Sequence, residues 1–297
     1  MAEHRVLMVE SPARLSIDLG RLRIETDQRP DHYVLPRDVA VLCLHHHSIT
    51  LSVAVLKALA AGGAMLIVTD DRHMPLAMHY PLATEAAARR LRQQWALDGT
   101  SRAAALWQQI VEARLRTQAA NLRVLQLKGA LRLERMATQV QPGDAGHHEG
   151  QAARHYWKHL FAAGFVRRKQ GADDPVNAAL NYGYAVLRAL VARELAAAGL
   201  HPALGVGHRN LENPFCLADD LMEPYRYLVE ARVWRMASDM RDFGRGARTI
   251  VARLVEDEVL IPPQTFRAPV AVRETVASYC RALAAPRNAS LALPAFG

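Results

Sequence analysis

The sequence has little cysteine and no long hydrophobic run. Its three cysteines, Cys43, Cys216 and Cys280, are odd in number and far apart, which argues against a disulfide framework and against a CxxC zinc site. No stretch reaches the roughly 18 uninterrupted apolar residues of a membrane span, because the best candidate, 49–69, is broken by Lys57 and a pair of glycines. Signal-peptide features are also missing at the N-terminus. We therefore expect a cytoplasmic protein with no membrane partner.

Nucleotide-binding patterns are absent as well, since the sequence contains neither GxGxxG nor a P-loop. Hydrophobic residues make up 51% and charged residues 22% of the 297 positions, which is typical of a globular protein and excludes a disordered one. The net charge of +8 favours a polyanionic partner, usually nucleic acid.

Arginine dominates over lysine among the clustered basic residues, and its forked guanidinium suits phosphate contacts. The alternative for many of these side chains is a solvated helix face. The clusters nevertheless predict contacts to nucleic-acid backbone phosphates that carry no sequence information. The residues expected to make them are Arg167, Arg168, Lys169, Arg245 and Arg248.

The first part of the chain, residues 1–75, has the short apolar runs of strands. They predict strands at 5–9, 14–19, 21–25, 40–44 and 64–68, and helical spacing predicts a helix at 50–61. Residues 76–84 follow as a predicted linker. The fold class expected from this order is α+β, with a small β-rich domain first.

The second part, residues 85–297, is rich in Ala, Leu and Arg at helical spacing and predicts a larger, all-helical domain. The predicted helices lie at 85–97, 101–118, 120–138, 149–163, 175–198, 214–240, 244–256 and 270–284.

Acidic residues cluster within the helix predicted over 214–240. Asp219, Asp220 and Glu223 are neighbours on one face of that helix, opposite an apolar face. Carboxylates this close repel unless a cation lies between them, and His208 precedes the helix. Histidine with carboxylates is a ligand set for Mg²⁺ or Mn²⁺. The alternative is an ordinary solvated helix face.

Glu149 lies at a predicted helix start, in a segment that superficially matches the zinc motif HExxH. The match fails because Ala152 stands where the second histidine is required. His155 and His159 are four residues apart and could share a metal ion. Glu149 lies about 240° around the helix from His155, so the two cannot face one ion from the same helix. Small alanines near Glu149 would allow another helix to approach and deliver ligands.

Three segments of the sequence, taken in their order along the chain, resemble the CRISPR-associated integrase family Cas1, and most closely its type II members. The first is the helix that contains Glu149, and the second is 177–184, Asn-Ala-Ala-Leu-Asn-Tyr-Gly-Tyr. The third is 213–224, which contains Asp-Leu-Met-Glu-Pro and follows a Gly-His pair at 207–208. The resemblance spans nearly the whole chain.

The resemblance implies that residues 1–75 dimerise and that residues 85–297 form the catalytic domain. It implies one divalent cation, Mg²⁺ or Mn²⁺, held by Glu149, His208 and Glu223, which are then also the catalytic residues. Asp220 would be a nearby supporting acid.

The activity implied by the resemblance is that of a metal-dependent DNA endonuclease and integrase. It would insert new spacer DNA into a CRISPR array through attack of a 3′-hydroxyl on a phosphodiester of the repeat. The implied partners are double-stranded DNA, both spacer precursor and repeat, a second copy of this chain, and a Cas2 dimer that bridges two such dimers.

Two other classes of function remain open on the sequence alone. A basic DNA-binding scaffold without catalysis would explain the arginines and the helices. A metallohydrolase for small substrates would explain the ligands but not the arginines. Tyr182 and Tyr184 could stack on DNA, although core packing is the commoner role of such residues.

Overall fold

The computed structural model describes residues 5–27, 29–71, 75–79, 87–161, 164–169, 174–285 and 289–296. Its N-terminal part contains eight strands and one α-helix within these ranges. They are β1 (Arg5–Val9), β2 (Ala13–Asp18), β3 (Arg21–Thr26), β4 (Arg29–Val34), β5 (Val39–Leu44), β6 (Ile49–Leu51), α1 (Val53–Ala61), β7 (Met65–Thr69) and β8 (Pro75–His79).

These strands form two four-stranded sheets. One sheet has the order β1-β5-β7-β8, in which the first three strands are parallel and β8 is antiparallel. The other has the order β4-β3-β2-β6. Helix α1 connects β6 of the second sheet to β7 of the first, so the connection between the parallel neighbours β5 and β7 passes through the second sheet.

Every residue of β5 is buried, because both faces of this strand pack against other elements. Leu42 and Leu44 belong to a core shared with α1 and the second sheet. Val41 and Cys43 belong to the large core of the helical part, together with Met65 from β7. This double burial explains why the strand is a continuous apolar run rather than an alternating one.

The C-terminal part is mainly helical, and α6 lies near its centre, in contact with α7, α8, α9 and α10 and with the strands β5 and β7. Helix α3 contacts α4, α5, α7 and α8. Among the described residues no helix has the length and apolar character needed to span a bilayer. The elements are α2 (Ala87–Leu97), α3 (Ser101–Val124), α4 (Ala130–Ala137), α5 (His148–Leu160), α6 (Pro175–Ala197), α7 (Cys216–Met222), α8 (Arg226–Ala237), α9 (Arg245–Ala252), β9 (Glu258–Ile261), β10 (Gln264–Arg267) and α10 (Ala268–Ala284).

The mixed α+β class is confirmed, with strands first and helices after them, and so are the five predicted strands. Three further strands, β4, β6 and β8, were not predicted. Strand β8 takes up residues 75–79, most of them inside the expected linker 76–84, and residues 80–84 lie outside the described part. Pro75 is tolerated there because β8 is an edge strand.

Two expectations for the second part are wrong. It is not all-helical, because β9 and β10 form an antiparallel hairpin. The helix break expected near residue 119 does not occur, since Ala119 and Leu122 continue the buried face of α3. The chain turns later, at Gln126 and Gly129, which both have positive φ angles, of 56° and 103°.

The helix predicted over 214–240 is divided. Helix α7 ends at Met222, a short 3-10 turn covers Glu223–Tyr225, and α8 then begins. Pro224 accounts for the division, because it has no N–H to continue the α-helical hydrogen bonds. Glu223 therefore lies at a junction between two helices.

Candidate metal centre

Three separate elements bring Glu149, His208 and Glu223 together. Glu149 is in the first turn of α5, His208 is in the loop between α6 and α7, and Glu223 follows α7. One possible ligand atom of each lies within 4.8 Å of those of the other two, and no other such trio of His, Cys, Asp or Glu occurs in the described ranges. The side chains of Glu149 and His208 are 28% and 38% exposed, so the cluster is open to solvent on one side.

Asp144 fixes the start of α5 and with it the backbone of Glu149. Its buried carboxylate accepts the backbone N–H of His148 at 2.9 Å and that of Glu149 at 3.0 Å. These donors have no acceptor within the helix, so the carboxylate acts as a cap supplied from outside it. Asp144 adopts a φ of 52° directly after Gly143, and this turn directs its side chain at the helix start.

Asp220 orients His208 and the loop that carries it. The Asp220 carboxylate accepts from His208 Nδ1 at 2.6 Å, from the His208 backbone at 3.0 Å and from Gly207 N at 2.9 Å. With Nδ1 occupied, Nε2 is the ring nitrogen left for a metal ion, an arrangement common among metal-binding histidines. The hydrogen bond to Asp220 raises the pKa of His208 above its usual value, against the opposing effect of burial.

Glu223 is almost completely buried and lies between two arginines. Arg226 Nη2 lies 2.7 Å from Glu223 Oε1, and Arg114 contacts Oε2. Arg114, itself 4% exposed, also donates to Glu149 Oε1 at 3.0 Å. Burial acts to raise the pKa of Glu149, but the charge and hydrogen bond of Arg114 outweigh it and lower that pKa. Glu149 is therefore held as a carboxylate.

The residues fit a divalent cation. Two carboxylates and one imidazole are the donors that Mg²⁺ and Mn²⁺ accept, and the imidazole favours Mn²⁺. Glu223 Oε2 is buried, and apart from its ion pair with Arg114 it has no hydrogen-bond partner within the described part of the chain.

The solvated-face alternative for the acidic cluster is excluded, because Asp219, Asp220 and Glu223 are 6%, 0% and 1% exposed. Asp219 is not among the clustered ligand residues and accepts instead from Arg188 at 2.7 Å and from Asn213 at 2.7 Å. Its contacts hold the segment before α7 in place.

The basic segment before α6 contains two exposed side chains, Arg168 and Lys169. The pKa of Lys169 is lowered by partial desolvation, and next by the charges of Arg226 and Arg114 at the candidate centre. The side chain of Arg167 is held by contacts within the protein. It donates to Asn177 and Asn181 of α6 and lies over a tyrosine ring of the same helix.

Arg248, one of the residues predicted to contact DNA, is buried in the structure. Arg248 is 6% exposed and donates to Glu10 at 2.6 and 2.9 Å, so it is not available to a phosphate. Arg245 also pairs with Glu10, although its side chain is 58% exposed. Tyr182 and Tyr184 are 1% and 8% exposed, which makes them core residues rather than stacking platforms for DNA.

Arg114, Arg226 and Asp144 were not identified from the sequence. A signal for Arg114 existed, because Arg114, Gln118 and Asn121 recur at helical spacing among the buried residues of α3. A polar stripe on a buried face indicates a site rather than a core. Asp144 gave no such signal, since its role depends on the turn that precedes α5.

Comparisons with known proteins agree with the motifs. The family model described as CRISPR associated protein Cas1 matches residues 6–242. A protein of Neisseria meningitidis serogroup C (strain 8013), named CRISPR-associated endonuclease Cas1, is 32% identical over 98% of this chain and 95% of its own length.

Two solved structures share the fold at 18% identity. A casposase bound to an integration product has a TM-score of 0.80, and the match covers 96% of this chain and 92% of that one. A chain of a Cas6-RT-Cas1–Cas2 complex has a TM-score of 0.74, and the match covers 96% of this chain and 35% of that longer one.

Proposed function

Because the chain belongs to the Cas1 family, we propose that it is a metal-dependent DNA integrase and endonuclease that inserts new spacer DNA into a CRISPR array. The observation that carries this proposal is the convergence of Glu149, His208 and Glu223 at the candidate metal centre. The name of the Neisseria meningitidis relative supports the endonuclease activity. The fold shared with a casposase that was solved with an integration product bound supports the integration reaction.

Glu149, His208 and Glu223 would hold Mg²⁺ or Mn²⁺. When bound, such an ion supplies positive charge to a phosphodiester and helps to align the attacking hydroxyl. The hydrogen bond to the Asp220 carboxylate favours the tautomer with the proton on Nδ1 of His208, which leaves the lone pair of Nε2 for a metal ion. Asp144 holds the backbone of Glu149 in place.

The proposed reaction exchanges one phosphodiester for another. The 3′-oxygen of the incoming strand forms a bond to phosphorus, the bond from phosphorus to the 3′-oxygen of the repeat breaks, and the proton of the attacking hydroxyl passes to the departing oxygen through solvent. The number of phosphodiesters is conserved, which is consistent with a sequence that lacks a P-loop. Arg114 and Arg226 provide fixed positive charge beside the reacting phosphate, where negative charge increases during the displacement.

The proposed partners are double-stranded DNA, as spacer precursor and as repeat, a second copy of the chain that pairs through residues 1–75, and a Cas2 dimer. The similar fold of a chain from a complex that contains Cas1 and Cas2 supports the last of these. The net charge of +8 and the exposed side chains of Arg168 and Lys169 support binding to the DNA backbone.

The test is strand transfer of a short labelled duplex into a plasmid that contains a CRISPR repeat, with Mn²⁺ or Mg²⁺ and with or without Cas2. The variants are Glu149→Gln, His208→Ala and Glu223→Gln. Glu134→Gln is the matched control, because Glu134 forms an ion pair with Arg123 at the surface, away from the candidate centre.

Metal-dependent product that is lost in the three variants and kept in the control is the expected result. Salt-sensitive DNA binding without product under any condition would favour the scaffold alternative. Product that survives all three substitutions would show that the reaction occurs at another site.

A further inference from the structure

Trp107 of α3 packs against the candidate ligand His208. Trp107 is 7% exposed, and the centroids of its indole and of the His208 imidazole are 5.5 Å apart, with the ring planes inclined by 75°. This is an edge-to-face contact at an ordinary distance for aromatic rings. The imidazole thus has two neighbours, the Asp220 carboxylate at Nδ1 and the indole.

Gly207 precedes His208 and has no room for a side chain. A Cβ atom at this position would lie 2.3, 2.4 and 2.5 Å from three carbon atoms of the Trp107 ring system. The backbone of Gly207 does not have a left-handed φ, so the indole rather than the backbone conformation requires glycine here. Gly207 cannot move away freely, because its N–H donates to Asp220 at 2.9 Å.

We propose that Trp107 is a positioning residue for His208. Gly207, which has no side chain, leaves the room that the indole of Trp107 needs. The hydrogen bond from His208 Nδ1 to Asp220 holds one atom of the imidazole, but coupled changes of the two side-chain torsion angles can still swing the ring about that atom, a rotation that moves Nε2. The indole restricts that rotation and so keeps Nε2 directed at Glu149 and Glu223. This inference rests on the proposed metal-binding function of the same site.

The first test is the affinity of the full chain for Mn²⁺, measured by calorimetry for wild type, Gly207→Ala, Trp107→Ala and the double variant. Gly207→Ala should weaken binding by about 10- to 100-fold, the usual effect of disturbing residues that orient a metal ligand. Trp107→Ala should also weaken it, by about tenfold. In the double variant the added methyl group has space, so the alanine at 207 should change the affinity less than about twofold relative to Trp107→Ala.

Two control variants separate positioning from general loss of stability. Gly150→Ala lies next to Glu149 on the exposed side of α5, where a Cβ meets nothing within 4 Å, and should leave Mn²⁺ affinity unchanged. Trp157→Ala removes another indole, which packs on Phe161 and Phe165 instead of on His208. It should lower the thermal midpoint but not the Mn²⁺ affinity. Equal weakening by Trp157→Ala and Trp107→Ala would overturn the proposal.

A second measurement needs no metal. The carbon-bound protons of His208 should carry a ring-current shift from the indole, and their NMR signals can be identified by their loss in His208→Gln. They should move in Trp107→Ala and stay in place in Trp157→Ala. Unchanged signals would overturn the positioning role, whether or not Mn²⁺ binds. Failure of wild type to bind Mn²⁺ would instead count against the proposed function, while wild-type binding that Gly207→Ala leaves intact would overturn only the present inference.

Discussion

Arg114 Nη1 lies 3.0 Å from Glu149 Oε1, inside the cluster that we propose as a metal centre. The same guanidinium contacts Glu223, so one buried cation serves two carboxylates. A metal ion held by these carboxylates would have to share their oxygen atoms with Arg114. The protein therefore contains a counter-charge of its own for the metal-free state.

Replacing Arg114 with leucine should destabilise the metal-free protein by about 3–5 kcal/mol, because two carboxylates then lose a buried partner. Mn²⁺ should raise the thermal midpoint of this variant more than that of wild type, since the ion replaces the missing charge. Calorimetry in EDTA and in Mn²⁺ measures both effects. Arg123→Leu is the control, because it breaks the exposed pair with Glu134 and should cost less than about 1 kcal/mol. Equal midpoints for wild type and Arg114→Leu in EDTA would contradict the prediction.

Asp220→Asn should weaken Mn²⁺ binding and change its pH dependence. A proton and a metal ion compete for Nε2 of His208, and Asp220 raises the pKa of this histidine above 6.5. Metal affinity of wild type should therefore fall as the pH drops through that raised pKa. In Asp220→Asn the pKa returns towards its usual value, so the fall should begin at a lower pH. At a pH above the raised pKa of His208, where the imidazole is neutral in both proteins, the variant should still bind about 10- to 100-fold more weakly, because the ring is no longer oriented. Mn²⁺ titrations across the pH range provide the measurement. Identical pH profiles for wild type and Asp220→Asn would refute the prediction.

Neutralising the exposed basic pair Arg168 and Lys169 should weaken DNA binding for all sequences alike. Each phosphate contact that is lost should reduce the slope of log K against log salt by about 1. Fluorescence anisotropy of a labelled duplex at several salt concentrations measures the slope for Arg168→Gln, Lys169→Gln and the double variant. The control is Arg116→Gln, whose exposed side chain pairs weakly with Glu112 at 3.9 Å. If the double variant has the same slope as wild type, this segment does not belong to the DNA interface.

Arg248→Met should act on stability and leave the DNA salt slope unchanged. The substitution leaves Glu10, whose side chain is 7% exposed, without its buried partner. Breaking a buried pair in this way costs about 3–5 kcal/mol, and the loss should be at the lower end because Arg245 still contacts Glu10. Urea denaturation measures the free energy of unfolding. A stable variant with a reduced salt slope would mean that Arg248 reaches phosphate after all.

The sequence predicted the strands and helices with strong periodicity but not the elements that depend on distant partners. Strand β8 is short and begins at a proline. It forms because its backbone can pair with the free edge of β7. The β9–β10 hairpin contains a pair of prolines at its turn and no long apolar run. Helix α3 was predicted too short, because the polar residues of its buried stripe weaken the apolar pattern around residue 119.

The ligand trio was predicted from the resemblance, since spacing alone could not relate Glu149 to His208 and Glu223, which are 59 and 74 positions away. The supporting residues depend on tertiary packing. Arg114 is distant in sequence from both of the glutamates that it contacts. Gly207 and Trp107 are also far apart in sequence, so no local pattern could predict their contact. The buried state of Arg248 could not be predicted either, because it requires Glu10 from the end of the first strand.

Strand β5 has one face in each of the two hydrophobic cores, so neither half of the chain completes its interior alone. A chain cut between His79 and Ala87 should therefore yield two fragments that stay together through purification, held by the buried surface of β5 and β7 against α6. Expressed separately, the helical fragment should expose an apolar patch and aggregate, and adding the strand-rich fragment during refolding should rescue it. The protein should therefore be divisible into two fragments that reassemble when they are mixed.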